Sequence, residues 1–139
     1  MSEAENLFGA AHVQRYRETA GEVGHLWKGG AKTLLLTTKG RKTGNVTTTP
    51  LIYEQAGDDY VVVASKGGAP QHPGWYRNLT KNPEVEVQVK DAVFPARARI
   101  AEGDERARLW ELVNRQWPDY DAYQERTERE IPVVVLERA

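Results

Sequence analysis

Cysteine is absent from the 139 residues. Its absence excludes disulfides, thiolate nucleophiles, cysteine zinc sites and cysteine-ligated iron–sulfur clusters, and it agrees with a reducing cytoplasm. Neither charge dominates: 19 Lys and Arg stand against 20 Asp and Glu, for a net charge of −1. That balance argues against a nucleic-acid binder and makes any basic feature local. No apolar run approaches the ~20 residues of a membrane span. The N-terminus carries Glu3 and Glu5 and no apolar signal core. His12, His25 and His72 are too scattered for a sequence-local metal motif, so no metal site is expected. Each is read as a core or solvated histidine. GGAKT, residues 29–33, has Ala31 where a P-loop needs its second glycine, and it precedes a strand. No Gly-x-Gly-x-x-Gly leads a strand into a helix, and no serine sits in a Gly-x-Ser-x-Gly elbow.

The length suits one domain, with a helical, partly flexible N-terminal segment (1–30) leading into a single unit (31–139). A helix is expected from Asn6 to Tyr16, with a thin apolar stripe weakened by Gly9. Four glycines in GEVGHLWKGG then break regularity. KTLLLTT, NVTTTPLIY and DDYVVVAS read as three strands of a meander, joined by a glycine–cation turn and by Gly57-Asp58-Asp59. KGGAPQHPGWYRNLTKNP is a long loop with a short helix inside, from Trp75 to Thr80. EVEVQV alternates, with Val85, Val87 and Val89 on one face. FPARARI answers it with Phe94, Ala96, Ala98 and Ile100 inward, making a second hairpin with one wet face. Asp104 is the expected N-cap of a helix marked by Leu109, Leu112, Val113 and Gln116 and ended by Pro118. Asp119 caps a further turn through Tyr120 and Tyr123, and IPVVVLE closes the chain as a buried strand. Six antiparallel strands with few helices predict a mainly β (α+β) fold, a small closed or split barrel without exposed edges.

The remaining chemistry is that of binding. TTKGRKTGNVTTTPL puts Lys39, Arg41 and Lys42 within four residues, framed by Gly40 and Gly44. A hairpin turn needs glycine but not three like charges, which repel. Arg41 offers a planar fork, Lys42 a point charge and Thr43 a hydroxyl, a donor set for phosphate or carboxylate. ASKGG, Ala64 to Gly68, repeats the idea with a hydroxyl, a cation and two glycines that admit close backbone approach. Trp75, Tyr76, Trp117, Tyr120 and Tyr123 add flat surfaces.

The series TTKGRKTG…TTPLIY, VVVASKGGAPQHPGWYRNLTKNPEVEVQV and YDAYQERTEREIPVVVLE closely resembles the deazaflavin-dependent nitroreductase family, including its quinone reductases, from Leu34 to Glu137. The resemblance implies a split β-barrel of the flavin-reductase type holding coenzyme F-420, an 8-hydroxy-5-deazaflavin whose tail carries a phosphate and an oligoglutamate. The cations then face a polyanion. By position, Arg41, Lys42 and Thr43 would hold the tail. Pro50, Leu51, Ile52 and Tyr53 would line the ring with backbone atoms. Ala64, Ser65, Lys66, Gly67 and Gly68 would cover ring and ribityl chain, and Trp75 and Asn78 would complete the channel. The helix bearing Trp117, Tyr120 and Tyr123 would form the acceptor side, with the tyrosines and Ser65 as catalytic candidates that orient or protonate an oxygen. One departure stands out: Asn45, Val46 and Thr47 are neutral where the family often has a basic residue. The implied activity is hydride transfer to quinones, nitroaromatics or similar acceptors. FMN is the alternative cofactor, a non-catalytic deazaflavin carrier the alternative role, and peripheral membrane contact through the N-terminal helix a lesser expectation. Oligomeric state and the physiological acceptor are left open.

Overall fold

The computed structural model describes residues 7, 9–27 and 30–139. Its elements, in chain order, are α1 (Gly9–Glu18), β1 (Thr33–Lys39), β2 (Val46–Ala56), β3 (Asp59–Val63), α2 (Gly74–Lys81), β4 (Glu84–Val89), β5 (Ala92–Ile100), α3 (Gly103–Gln116), α4 (Asp119–Glu125) and β6 (Val133–Arg138). The six strands form a closed antiparallel barrel in the order β1-β2-β3-β6-β5-β4. Both expected hairpins are present, with Leu34 opposite Leu51 and Val87 opposite Phe94. Closure comes from β1 against β4 and β3 against β6. These pairings leave no open edge, which suits strands this rich in Val, Leu and Thr.

Alternation sorts the side chains into two layers. Leu34, Leu36, Tyr53, Val62, Val85, Val87, Phe94, Ala96, Ala98, Val134 and Leu136 join Trp75 and Leu79 of α2 in one core. Val61, Val63, Val133 and Val135 leave the other face of β3 and β6 and pack with Val113, Tyr120 and Ile131. The valine runs are therefore buried on both faces, which is why they do not alternate. Each fully buried Val or Leu contributes roughly 1.5–3 kcal/mol of transfer free energy. The inserted α3–α4 pair exists to cover that second face.

α1 lies against β1 through Val13, Tyr16 and Leu35. Tyr16 is fully buried. Its hydroxyl donates to the Thr33 carbonyl at 3.0 Å and accepts from the Lys90 amide at 2.8 Å. Burial pushes its pKa up to about 12. One phenol thus pins the N-terminal segment to the barrel. The expected helix start at Asn6 lies outside the described residues, and α1 continues past Tyr16 to Glu18.

The cap of α3 differs from expectation. Glu102 takes the extended cap conformation and Gly103 enters the helix, so Asp104 falls in the first turn. There its carboxylate faces the helix dipole rather than capping an amide. Pro118, not Asp119, precedes α4 as its cap. The third strand also ends early, at Val63, which releases Ala64 and Ser65 into a loop. His12 and His25 are buried. His12 Nε2 sits 2.8 Å from the Gly24 carbonyl, and His25 Nε2 2.8 Å from the Tyr53 hydroxyl. Among the described residues no cluster of metal-ligating side chains forms, and no helix is long and apolar enough to cross a membrane.

Candidate active site

A cleft of about 410 Å³ opens where β2, the loop after β3, the start of α2 and the α3–α4 junction meet. It gathers most of the residues singled out in the sequence. Pro50, Leu51 and Ile52 form one wall, Ser65, Lys66 and Gly67 another, Trp75 a third, and Trp117, Tyr120 and Tyr123 the fourth. The volume and apolar lining with a few polar groups are those of a small-molecule site.

The loop wall has unusual backbone. Lys66, Gly67 and Gly68 have φ of 47°, 64° and 82°. Gly68 is buried, and a Cβ there would lie 2.6 Å from the Tyr123 carbonyl oxygen and 3.1 Å from Tyr123 Cα. The loop therefore touches α4 through bare backbone. Gly67 differs, because a Cβ would meet nothing. Gly68 thus serves packing, whereas Gly67 leaves the cleft wall open.

The aromatic wall is ordered by its own contacts. Trp117 Nε1 donates to the Tyr123 hydroxyl at 3.3 Å, leaving that hydroxyl its own proton to donate. Tyr120 meets Tyr123 edge to face at 6.1 Å. Tyr120 is only 4% exposed, and burial holds its pKa far above the usual tyrosine range. Its phenol therefore stays protonated at neutral pH, a donor and not a base.

The cationic turn lies beyond the cleft rim rather than in its wall. α2 makes the link: Trp75 lines the cleft, and Asn78, three residues or about 4.5 Å along the axis, holds the turn. Asn78 is buried. Its Oδ1 accepts from Arg41 Nη1 at 2.9 Å and from the Arg41 amide at 3.3 Å, while Nδ2 donates to Thr38 Oγ1 at 3.1 Å. Arg41 is thus pre-oriented by a buried amide. Thr43 Oγ1 accepts from the Asn45 amide at 3.2 Å, and Lys42 is exposed. Lys81 adds a cation that sequence reading missed, donating to the Arg41 carbonyl at 3.1 Å.

Tyr53, Ala64, Gly68 and Asn78 stand behind the cleft surface. Tyr53 and Ala64 are buried in the barrel core. The Tyr53 carbonyl accepts from Gln116 Nε2 at 2.6 Å. Trp27, Thr49, Val63, Pro73 and Gly74 line the cleft without having been singled out. Trp27 stacks on Trp117 at 5.9 Å and 20°. Its position in a glycine-rich irregular segment gave no periodic signal.

Residues 9–138 match the family described as F420H(2)-dependent quinone reductase. An F420H(2)-dependent quinone reductase of Mycobacterium tuberculosis H37Rv is 47% identical over 130 residues, covering 91% of this chain and 87% of that protein. A solved F420-H2 dependent reductase, FDR-A, is 44% identical with a TM-score of 0.71, over 76% of this chain and 93% of that one. A second solved structure at the same identity and TM-score, covering 76% of this chain and 79% of its own, is a domain-swapped dimer. The barrel also resembles HutZ of Vibrio cholerae at 18% identity and a TM-score of 0.62, over 91% of this chain and 89% of that one, a likeness of fold alone. Flat cleft, glycine-walled loop and cationic turn are thus set in a chain that belongs to the F420H(2)-dependent quinone reductase family.

Proposed function

We propose that this chain transfers a hydride from reduced coenzyme F-420 to quinones, with nitroaromatics and similar flat, electron-poor molecules as further acceptors. The observation that carries the reading is the joining of one flat apolar cleft to one cationic turn by a single helix, α2. Such a site fits a ligand with a planar head and an anionic tail. The fit is chemical as well as spatial: apolar walls, an open glycine and the tyrosine hydroxyls would meet the head, and Arg41, Lys42 and Lys81 the tail.

When bound, the deazaflavin supplies the hydride chemistry. The protein's part is to bind, orient and exclude water. Pro50, Leu51 and Ile52 form the floor, Ser65, Lys66 and Gly67 flank it, and Trp75 closes the end toward the tail. Trp117 and Tyr123 form the acceptor wall, where the Tyr123 and Tyr120 hydroxyls donate to a quinone or nitro oxygen as negative charge develops there. The Ser65 hydroxyl is a third donor, from the loop side. No general base or nucleophile enters the scheme.

The test is oxidation of reduced F-420 by purified protein, followed by recovery of the oxidised chromophore, with menadione and a nitroaromatic as acceptors. Acceptor-dependent turnover supports the proposal. Binding of F-420 without turnover across an acceptor panel would make the protein a carrier. Tight binding of FMN with none of F-420 would move it to flavin chemistry.

A further inference from the structure

Arg129 lies outside the cleft wall, in the connection between α4 and β6, yet its guanidinium is spent entirely on the cleft loop. Nη2 donates to the Ser65 carbonyl at 2.7 Å, Nε to the Ala69 carbonyl at 2.8 Å, and Nη1 to the Ala64 carbonyl at 3.2 Å and to His72 Nδ1 at 3.0 Å. Four acceptors from one nine-residue stretch converge on one fork. Two more loop carbonyls, those of Lys66 and Gly67, are also engaged. Lys66 O accepts from the Ala69 amide at 3.1 Å, and Gly67 O lies 3.5 Å from Arg126 Nη1. By contrast, the amides of Ser65, Lys66 and Gly67 make no hydrogen bond among the described residues. Ser65 is right-handed, with φ −79° and ψ −41°, and Lys66 and Gly67 are left-handed. Successive amides in that alternation form a concave nest for an anionic oxygen. A left-handed lysine is strained and persists only where its surroundings over-determine it.

Arg129 is in turn fixed to the acceptor-side helix. Its carbonyl accepts from Gln124 Nε2 at 2.8 Å, and Gln124 Oε1 takes the Ile131 amide at 2.9 Å. Gln124 follows Tyr123 directly on α4. We infer that Arg129 is a positioning residue: by gathering the carbonyls of Ala64, Ser65 and Ala69 it turns the loop amides toward the cleft and fixes that loop relative to Tyr120 and Tyr123. The inference rests on the proposed cofactor reading for its ligand, but not for its effect on the loop.

Two readouts test it. Amide hydrogen exchange by NMR on the ligand-free protein is compared for wild type, Arg129→Ala and Arg129→Lys. F-420 affinity and acceptor KM are then measured on the same proteins. In Arg129→Ala, exchange at Gly68 and Ala69, whose amides close the turn, should quicken by about tenfold or more, while central β1 and β2 amides keep their rates. F-420 should bind about tenfold more weakly, the loss expected when amide donors no longer converge on a charged acceptor, and acceptor KM should stay within about twofold. Arg129→Lys keeps the charge and reaches fewer carbonyls, so it should fall between the two. Faster exchange everywhere with unchanged affinity of the folded protein would make Arg129 merely structural and overturn the inference. So would an unchanged loop. If the alanine variant does not fold, a lysine variant with wild-type loop exchange and affinity overturns it equally. Wild-type protein that binds no F-420 would instead refute the functional reading, and the exchange contrast would tell the two failures apart.

Discussion

Gly68 and Gly67 are adjacent, both left-handed, and make opposite predictions. An alanine at Gly67 (φ 64°) carries its Cβ into open space. Its cost is the left-handed backbone alone, about 1–2 kcal/mol. An alanine at Gly68 (φ 82°) has the same backbone cost and also drives its Cβ to 2.6 Å from the Tyr123 carbonyl oxygen and 3.1 Å from Tyr123 Cα. The obstruction is helix backbone, so no rotamer relieves it, and α4 must move. Overpacking of this kind adds about 1–3 kcal/mol, for a total of about 2–5 kcal/mol. At about 2.1 cal/mol/K per residue, unfolding this chain carries an entropy near 0.3 kcal/mol/K, so each kcal/mol lowers Tm by about 3–4 °C. Gly67→Ala should therefore fall by about 3–7 °C and Gly68→Ala by about 7–17 °C, read by circular dichroism with a urea titration as cross-check. Because Tyr120 and Tyr123 ride on α4, Gly68→Ala should also lose turnover in what remains folded. Equal melting losses for the two variants would refute the claim that the loop packs on α4 through bare backbone.

Lys42→Ala should weaken F-420 by about 10–150-fold, the cost of a charge-assisted contact of roughly 1.5–3 kcal/mol, and should leave stability unchanged because Lys42 is exposed. Titration at low and high salt checks it, and the gap between the proteins should narrow as salt screens the site. Tyr120→Phe keeps the buried ring, so folding should survive. If its hydroxyl donates to the acceptor oxygen, kcat should drop by about 10–100-fold with F-420 affinity within about threefold; full activity would leave the ring only a packing role. His25 bears on pH. Burial foremost, then the charges of Lys90 and Lys32, hold its pKa below the usual 6.5, and burial foremost, with Arg129 and Arg77, does the same for His72. Below pH 6.5 the unfolded chain takes up more protons than the native one, so stability is full above that pH and is lost as pH falls beneath it. Urea midpoints at pH 7.5 and 5.5 should show the loss, and His25→Gln should shrink it; a flat profile would contradict the burial argument.

Local rules made the hairpins legible. EVEVQV and FPARARI alternate because one face is wet, and the structure puts Val85, Val87, Phe94, Ala96 and Ala98 in the barrel core. The ASKGG turn and the aromatic run from Trp117 to Tyr123 were readable as chemistry because glycine, cation and ring types cluster there. Three things were not readable. Barrel closure pairs β1 with β4 and β3 with β6 across long separations, and no local periodicity encodes such partners. Asn78 reads as a channel residue by resemblance, yet its amide serves Arg41, 37 positions away. Trp27 and Arg129 reach the site from irregular segments, where spacing carries no information about direction.

Equilibrium titration of the purified protein with F-420 and, separately, with FMN decides which cofactor the cleft and cationic turn hold. F-420 should bind saturably, more weakly with added salt and more weakly to Lys42→Ala, with FMN much weaker because it lacks the oligoglutamate tail. FMN binding tightly while F-420 does not bind would contradict the proposed function.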